Sequence, residues 1–372
     1  MTSDVVVAGG GLIGMSVAWR CAQKGLRVTV VDPDPTQGAG QAAAGMLAPV
    51  AEASYGEERL LGLARASLKR YPAFVAELRD ATGLDVGLRT AGTLQVGFDA
   101  DDIRALDELH AFHLELGLPA ERLTPGEARR REPSLTTRLR GAVSIPSDHS
   151  VDARALRDAL AHAARRAGAT LVTTGIEALV TAGGRATGVR LADGTTLTAG
   201  TVVLALGAWS ASLPGVPDLP VRPVKGQILR LRLAAGLLDG TVRALVRGRQ
   251  VYLVPLRDDQ LIIGATAEEK GFDRSVTAGG VYELLRDAIE VVPGVTELEL
   301  VETLVRFRPG TPDNAPLLGE CDLKGLVLAT GHYRNGVLLA PVTGEAIADL
   351  VADGTLPEAA RGFGLDRFRE RS

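Results

Sequence analysis

The chain has 372 residues, 46% hydrophobic and 23% charged, with a formal net charge of −4. That length accommodates two domains with a sizeable core, and the lack of a basic stripe argues against nucleic acid as a partner. Two cysteines, Cys21 and Cys321, form no disulfide framework, and no Cys/His cluster has metal-ligand spacing. The uncharged run from Val5 to Trp19 follows Asp4 with no Lys or Arg, is rich in Gly, and falls short of the ~20 residues of a membrane span. A cytoplasmic protein is expected.

In chain order, Val5 to Ala8 is an unbroken apolar run, as in a strand buried on both faces of a parallel sheet. Gly9, Gly11 and Gly14 follow at G-x-G-x-x-G spacing. Each has a reason to lack Cβ: a tight turn, close approach to a pyrophosphate, and helix–strand packing. Leu12, Met15, Trp19 and Ala22 predict an amphipathic helix whose N-terminus faces phosphate. Val28 to Val31 is the next strand, and Asp32 ends it, 18 residues after Gly14, where a carboxylate reaches a ribose 2′-OH. A lone glycine motif is weak evidence; with strand, helix, second strand and terminal acid it predicts a dinucleotide site. An acid at 32 disfavours NADP and leaves NAD and FAD both open.

Gln37 to Ala53 is a Gly/Ala-rich stretch, either a plain connector or bare backbone laid against a flat cofactor. Glu57 to Thr82 has a helical pattern that Pro72 should kink or divide, with Gly83 as C-cap. Val86 to Phe98 reads as two short strands around Ala91-Gly92. Asp101 to Leu116 is helical, Thr124-Pro125-Gly126-Glu127 is a capping box, and Asp152 caps a helix from Ala153 to Ala167. A meander follows, then the apolar strand Thr201 to Gly207, whose terminal glycine suggests close backbone approach to a ligand. Pro220 to Leu233 and Val242 to Thr266 are β-rich, Ser275 to Val291 is a helix, and Glu299 to Phe307 and Leu326 to Thr330 are strands. A helix is expected from about Val337 to Ala352. The alternation predicts an α/β chain of two discontinuous domains. One takes 1–84, 147–219 and 308–372 and binds the cofactor; the other, β-rich and α+β, takes 85–146 and 220–307 and binds substrate.

The opening motif resembles FAD-dependent oxidoreductases with the glutathione-reductase-like Rossmann fold. The stretches Ala42–Pro49, Pro223-Val-Lys-Gly-Gln227, Val251-Tyr-Leu-Val-Pro255, Gly264-Ala-Thr266, Arg308–Asp313 and Gly331–Pro341 resemble the glycine oxidases of the D-amino acid oxidase family, over residues 4 to about 350. That resemblance implies oxidative deamination of glycine, with sarcosine or small D-amino acids as further substrates. The products would be imine or glyoxylate, ammonia and hydrogen peroxide, with the imine feeding thiazole formation in thiamine biosynthesis. It implies FAD as cofactor; Cys321, ten residues before Gly331, is poorly placed for a covalent flavin link, so a non-covalent flavin is expected.

The resemblance further implies that Leu12, Ile13, Asp32 and Pro33 lie along the adenosine end, with Ile176 offering backbone to the adenine. Ala44, Gly45 and Met46 would line the isoalloxazine, and His332, Tyr333, Arg334, Asn335, Gly336, Val337 and Leu338 would wrap its pyrimidine side. Tyr252, Arg308 and Arg334 would face the substrate. The implied partners are a small amino acid, O2 and an enzyme of thiazole synthesis, with homo-oligomerisation left open. Two positions depart from the pattern: Gln250, where a relative carries His, and Ala267, where a bulkier residue would cover the substrate.

Residue chemistry fits these roles. A guanidinium fork matches a carboxylate bidentately, so Arg334 or Arg308 would hold the substrate carboxylate. The plain alternatives are a surface Arg308, a helix-start ion pair for Arg334 and a core Tyr252. No histidine pair is needed for acid–base work: a neutral amine can lose hydride without an enzymic base, since the cofactor carries the hard chemistry. Competing functions are a D-amino acid or sarcosine oxidase or dehydrogenase, and a non-catalytic nucleotide-binding module.

Overall fold

The computed structural model describes residues 2–368. Strand β1 (Thr2–Ala8), helix α1 (Leu12–Gln23) and strand β2 (Val28–Val31) form the expected β-α-β unit. They sit in an eight-stranded sheet whose main order is 317–320, 326–330, 196–204, β1, β2, 170–172. The strand pairs inward from 326–330 are parallel, and 317–320 is an antiparallel edge. A hairpin, Ile176–Ala182 with Arg185–Leu191, extends from strand 196–204. Helix α1 packs against Ala153–Arg166 and Ala340–Asp353, and both of these pack against α2 (Glu58–Thr82). Met15, Trp19, Tyr71, Phe74 and Leu156 fill that layer.

The second eight-stranded sheet runs 300–310, 222–232, 260–264, 249–256, 241–246, 93–97, 141–145, 121–123. All its pairs are antiparallel except 241–246 with 93–97. Period-two alternation divides its faces. Leu229, Leu253 and Ile263 pack with Leu284, Ala288 and Val291 of helix Ala278–Val291, whereas Ile228, Val254 and Ile262 pack against Ala42 and Ala44. The chain thus builds the first sheet from segments at 2–31, 170–204 and 317–330, and the second from segments at 93–145 and 222–310. A short ladder, Met46–Leu47 with His149–Ser150, joins the Gly/Ala-rich stretch to the segment after the second sheet's strand 141–145.

Three local expectations are corrected, and Pro72 does not divide helix α2: it is exposed within the helix, while Tyr71 and Phe74 near it are buried. Their burial outweighs the lost helical bond and ring clash, together about 3 kcal/mol. Residues 86–91 form no strand of the sheet; Arg89 only bridges Ser150, so the strand begins at Thr93. The strand expected from Thr201 begins at Thr196, in antiparallel contact with the hairpin. The last helix starts at Ala340, with Pro341 in its first turn, after turns over 336–339.

Candidate active site

The glycine motif is shaped by backbone crowding. Gly9 has φ +108°, and a Cβ on it would strike the Ala205 carbonyl; a Cβ on Gly14 would strike the Gly9 carbonyl. Gly11 faces open space and is the N-cap of α1 without a side-chain cap, so the first helical N–H groups remain available to an anion. Asp32 accepts from the Gly10 N–H at 2.6 Å through Oδ2 and from the Asp34 N–H at 2.9 Å through Oδ1. Each carboxylate oxygen keeps a lone pair for a ribose hydroxyl.

A cavity of about 940 Å³ opens from this loop and ends against the second sheet. Gly9, Gly11, Leu12, Ile13, Asp32 and Pro33 line its beginning, with Ile176 and Gly207 alongside. Ala44, Gly45 and Met46 line the middle, and His332, Tyr333, Arg334, Gly336, Val337, Tyr252 and Arg308 the far end. Gly14, Asn335 and Leu338, also expected at the cofactor, are not among these lining residues. Gly14 packs on the Gly9 carbonyl; Asn335 is buried, its carbonyl accepting from Leu339 N–H; Leu338 is in the helical core, its carbonyl accepting from the Ser67 hydroxyl at 2.6 Å. The cavity volume lies at the upper end of the ~300–1,000 Å³ of ligand pockets, which suits a dinucleotide with a small substrate beside it.

At the far end, strand register sets a row across the sheet. Leu304, Ile228, Gly264, Tyr252, Arg243 and Gln95 are successive cross-strand partners. The Tyr252 ring lies over Gly264, where a Cβ would collide with it, and the Arg308 guanidinium likewise lies over Gly226. Arg308 Nη1 donates to the Thr266 carbonyl at 3.0 Å. Burial pushes the Tyr252 hydroxyl up, and the charge of nearby Arg308 opposes that shift. Arg308 has no carboxylate partner among the described residues. Arg334 differs: its Nη2 is 2.9 Å from Glu57 Oε2, the helix-start ion pair that was the plain alternative for it.

Two residues that the sequence reading passed over also line the far end, Arg243 and Glu52. Arg243 Nη1 donates to Glu52 Oε1 at 2.8 Å and lies 3.8 Å from the Met46 sulfur. The available signal was an arginine in the apolar strand Thr241–Val246, and an acid in the small-residue run after Pro49. His332 is buried with Nε2 3.0 Å from Thr343 Oγ1, and burial pushes its pKa down to about 3. It is therefore neutral at working pH and a poor base. Among the described residues no His/Cys/Asp/Glu group could hold a metal ion, and no helix is long and apolar enough to cross a membrane.

A glycine cradle at a helix N-terminus thus lies at one end of the cavity, and a guanidinium beside a phenol at the other. The chain belongs to the family of FAD-dependent oxidoreductases (DAO), which its residues 4–350 match. It is 39% identical over 355 residues to a glycine oxidase of Geobacillus kaustophilus, covering 94% of this chain and 92% of that one. It is 36% identical to a bifunctional ThiO/ThiG protein of Trichormus variabilis, covering 100% of this chain but 56% of that protein, so it spans about half of such relatives. The crystal structure of the Geobacillus glycine oxidase superposes with a TM-score of 0.91 at 37% identity, covering 99% of this chain and 100% of that one.

Proposed function

We propose that this protein oxidises glycine, and secondarily sarcosine or small D-amino acids, to the imine, releasing ammonia and hydrogen peroxide after hydrolysis and reoxidation by O2. The observation that carries this reading is Arg308. It is a cation at the cavity's sheet end, hydrogen-bonded to a carbonyl and close to the Tyr252 hydroxyl, with no protein carboxylate to neutralise it among the described residues. Its fork and the Tyr252 hydroxyl would take the substrate carboxylate. Arg334, already paired with Glu57, would shape the entrance.

FAD would be held without a covalent bond by Gly9–Ile13, Asp32 and Pro33, along Ala44–Met46, and by His332, Tyr333, Arg334, Gly336 and Val337. Its isoalloxazine supplies the two-electron acceptor. Ala265 and Ala267 line the substrate end with small side chains, which favours compact amines and leaves room beyond glycine. The join of ThiO to ThiG in one relative supports thiazole synthesis as the consumer of the imine. The test is anaerobic addition of glycine to the purified yellow protein. Bleaching of the flavin supports the reading; an unchanged spectrum with glycine, sarcosine and D-alanine refutes it.

A further inference from the structure

Acidic side chains line the cavity at two places. Asp32 and Asp34 stand at the glycine loop, and Glu52 stands alone at the sheet end among the described residues. Glu52 is nearly buried, its side chain 12% exposed. Arg243 occupies one oxygen, Oε1, at 2.8 Å. The other, Oε2, receives no hydrogen bond from any described residue.

The turn that presents this acid is latched on several sides. Val50 and Ala51 donate their N–H groups to the buried Asp148 carboxylate at 3.3 and 3.1 Å. Gln95 Nε2 donates to the Ala51 carbonyl at 3.0 Å, and the Glu52 N–H donates to the Ala48 carbonyl at 3.0 Å. A side chain on so constrained a turn loses little further freedom on meeting a ligand. Arg243 is the cross-strand neighbour of Tyr252, and neighbouring strands are ~4.8 Å apart. Glu52, at the tip of Arg243, therefore borders the same small volume as Tyr252 and Arg308. One side of that volume offers a free carboxylate oxygen, the other an unneutralised guanidinium.

We propose that Glu52 recognises the amine of a zwitterionic substrate, with Oε2 accepting an N–H while Arg308 and Tyr252 hold the carboxylate. Arg243 is the positioning residue that fixes the acid's orientation. The inference rests on the assignment of Arg308 above and adds what distinguishes an amino acid from a plain carboxylate. An anion of similar size with no donor in the amine's place gains nothing from Glu52 and is repelled by it.

The test compares two ligands on the FAD-loaded protein. Acetate affinity is read from perturbation of the flavin absorbance, and glycine affinity from the concentration dependence of anaerobic flavin reduction in stopped flow. Glu52→Gln should weaken glycine roughly ten- to hundred-fold, the range for losing a hydrogen bond to a charged group, while acetate, which has no donor in the amine's place, binds as well or better. Glu52→Asp, which keeps the charge but withdraws it by one methylene, should weaken glycine less and leave acetate unchanged. Equal weakening of both ligands in Glu52→Gln would mean that the acid only props the loop, and would overturn the proposal. If neither ligand acts on the unmutated protein, it is the assignment of the substrate site that fails.

Discussion

Replacing Arg308 separates the two arginines that the sequence left equivalent. In Arg308→Ala the substrate carboxylate loses a charged fork, the Thr266 carbonyl loses its donor, and Tyr252 loses a neighbouring cation. A hydrogen bond to a charged group is worth ~1.5–3 kcal/mol, so at ~1.4 kcal/mol per decade kcat/KM for glycine should fall roughly ten- to hundred-fold. Lysine should restore little, because a point charge cannot reproduce the fork. Arg334→Ala removes a side chain already satisfied by Glu57, and Glu57 retains the Asn314 amide at 2.7 Å on its other oxygen. Its effect on kcat/KM and on glycolate affinity should be at most about five-fold, within the ~0–1 kcal/mol of partly exposed ion pairs. Gly226→Ala supplies an independent probe. Its methyl would enter the space of the Arg308 guanidinium, so it should reproduce much of the Arg308→Ala defect without altering charge. The assay is steady-state oxidation of glycine together with glycolate titration of the flavin spectrum. Equal losses at Arg308 and Arg334, or a normal Gly226→Ala enzyme, would refute the assignment.

Other consequences are equally open to measurement. Enlarging Ala267 to Met should narrow the range of substrates: kcat/KM for sarcosine and D-alanine should fall relative to glycine by the ~1–3 kcal/mol that one methylene is worth in a tight pocket, and unchanged ratios would remove position 267 from selectivity. Burial raises the pKa of Asp148 to about 7 against the two N–H donors, with Glu52 adding to the rise and Arg243 opposing it. Because the folded state holds this proton more tightly than the unfolded chain, stability should fall as pH rises from the ordinary carboxylate range to about 7, by about 1.4 kcal/mol per unit. Asp148→Asn should flatten that part of the unfolding free energy against pH; an unaltered slope would show that the group does not titrate there. Acid denaturation should release all yellow colour into solution, whereas flavin retained on the chain would contradict a non-covalent cofactor.

How much was legible in the sequence depended on the range of the forces involved. The β-α-β unit was readable because its glycines, helix period and terminal acid all act within 32 residues. Capping at Thr124 and Asp152 was readable for the same reason. The start of the last helix was not, because the turns over 336–339 are held from outside it: the buried Tyr71 and Ser67 hydroxyls bond the Val337 and Leu338 carbonyls. Arg243 escaped notice because its importance comes from register. Only the pairing of strands 93–97, 241–246 and 249–256 sets it between Gln95 and Tyr252, and residues so far apart in sequence carry no local sign of that alignment. Arg334 and Arg308 looked alike beside their glycines, and the ion pair to Glu57 is what tells them apart.

The row Gly264–Tyr252–Arg243–Gln95 also acts as a ruler. Its divisions are strand spacings of ~4.8 Å, set by backbone hydrogen bonds and indifferent to which side chain occupies each rung. Side chains along the row are therefore spaced in fixed steps, and two of its rungs also hold the turn beside them: Gln95 bonds the Ala51 carbonyl and Arg243 the Glu52 carboxylate. Exchanging the side chains of 243 and 95 would move a cation one strand outward only by breaking both contacts, so the sheet register and the turn constrain each other at these two positions.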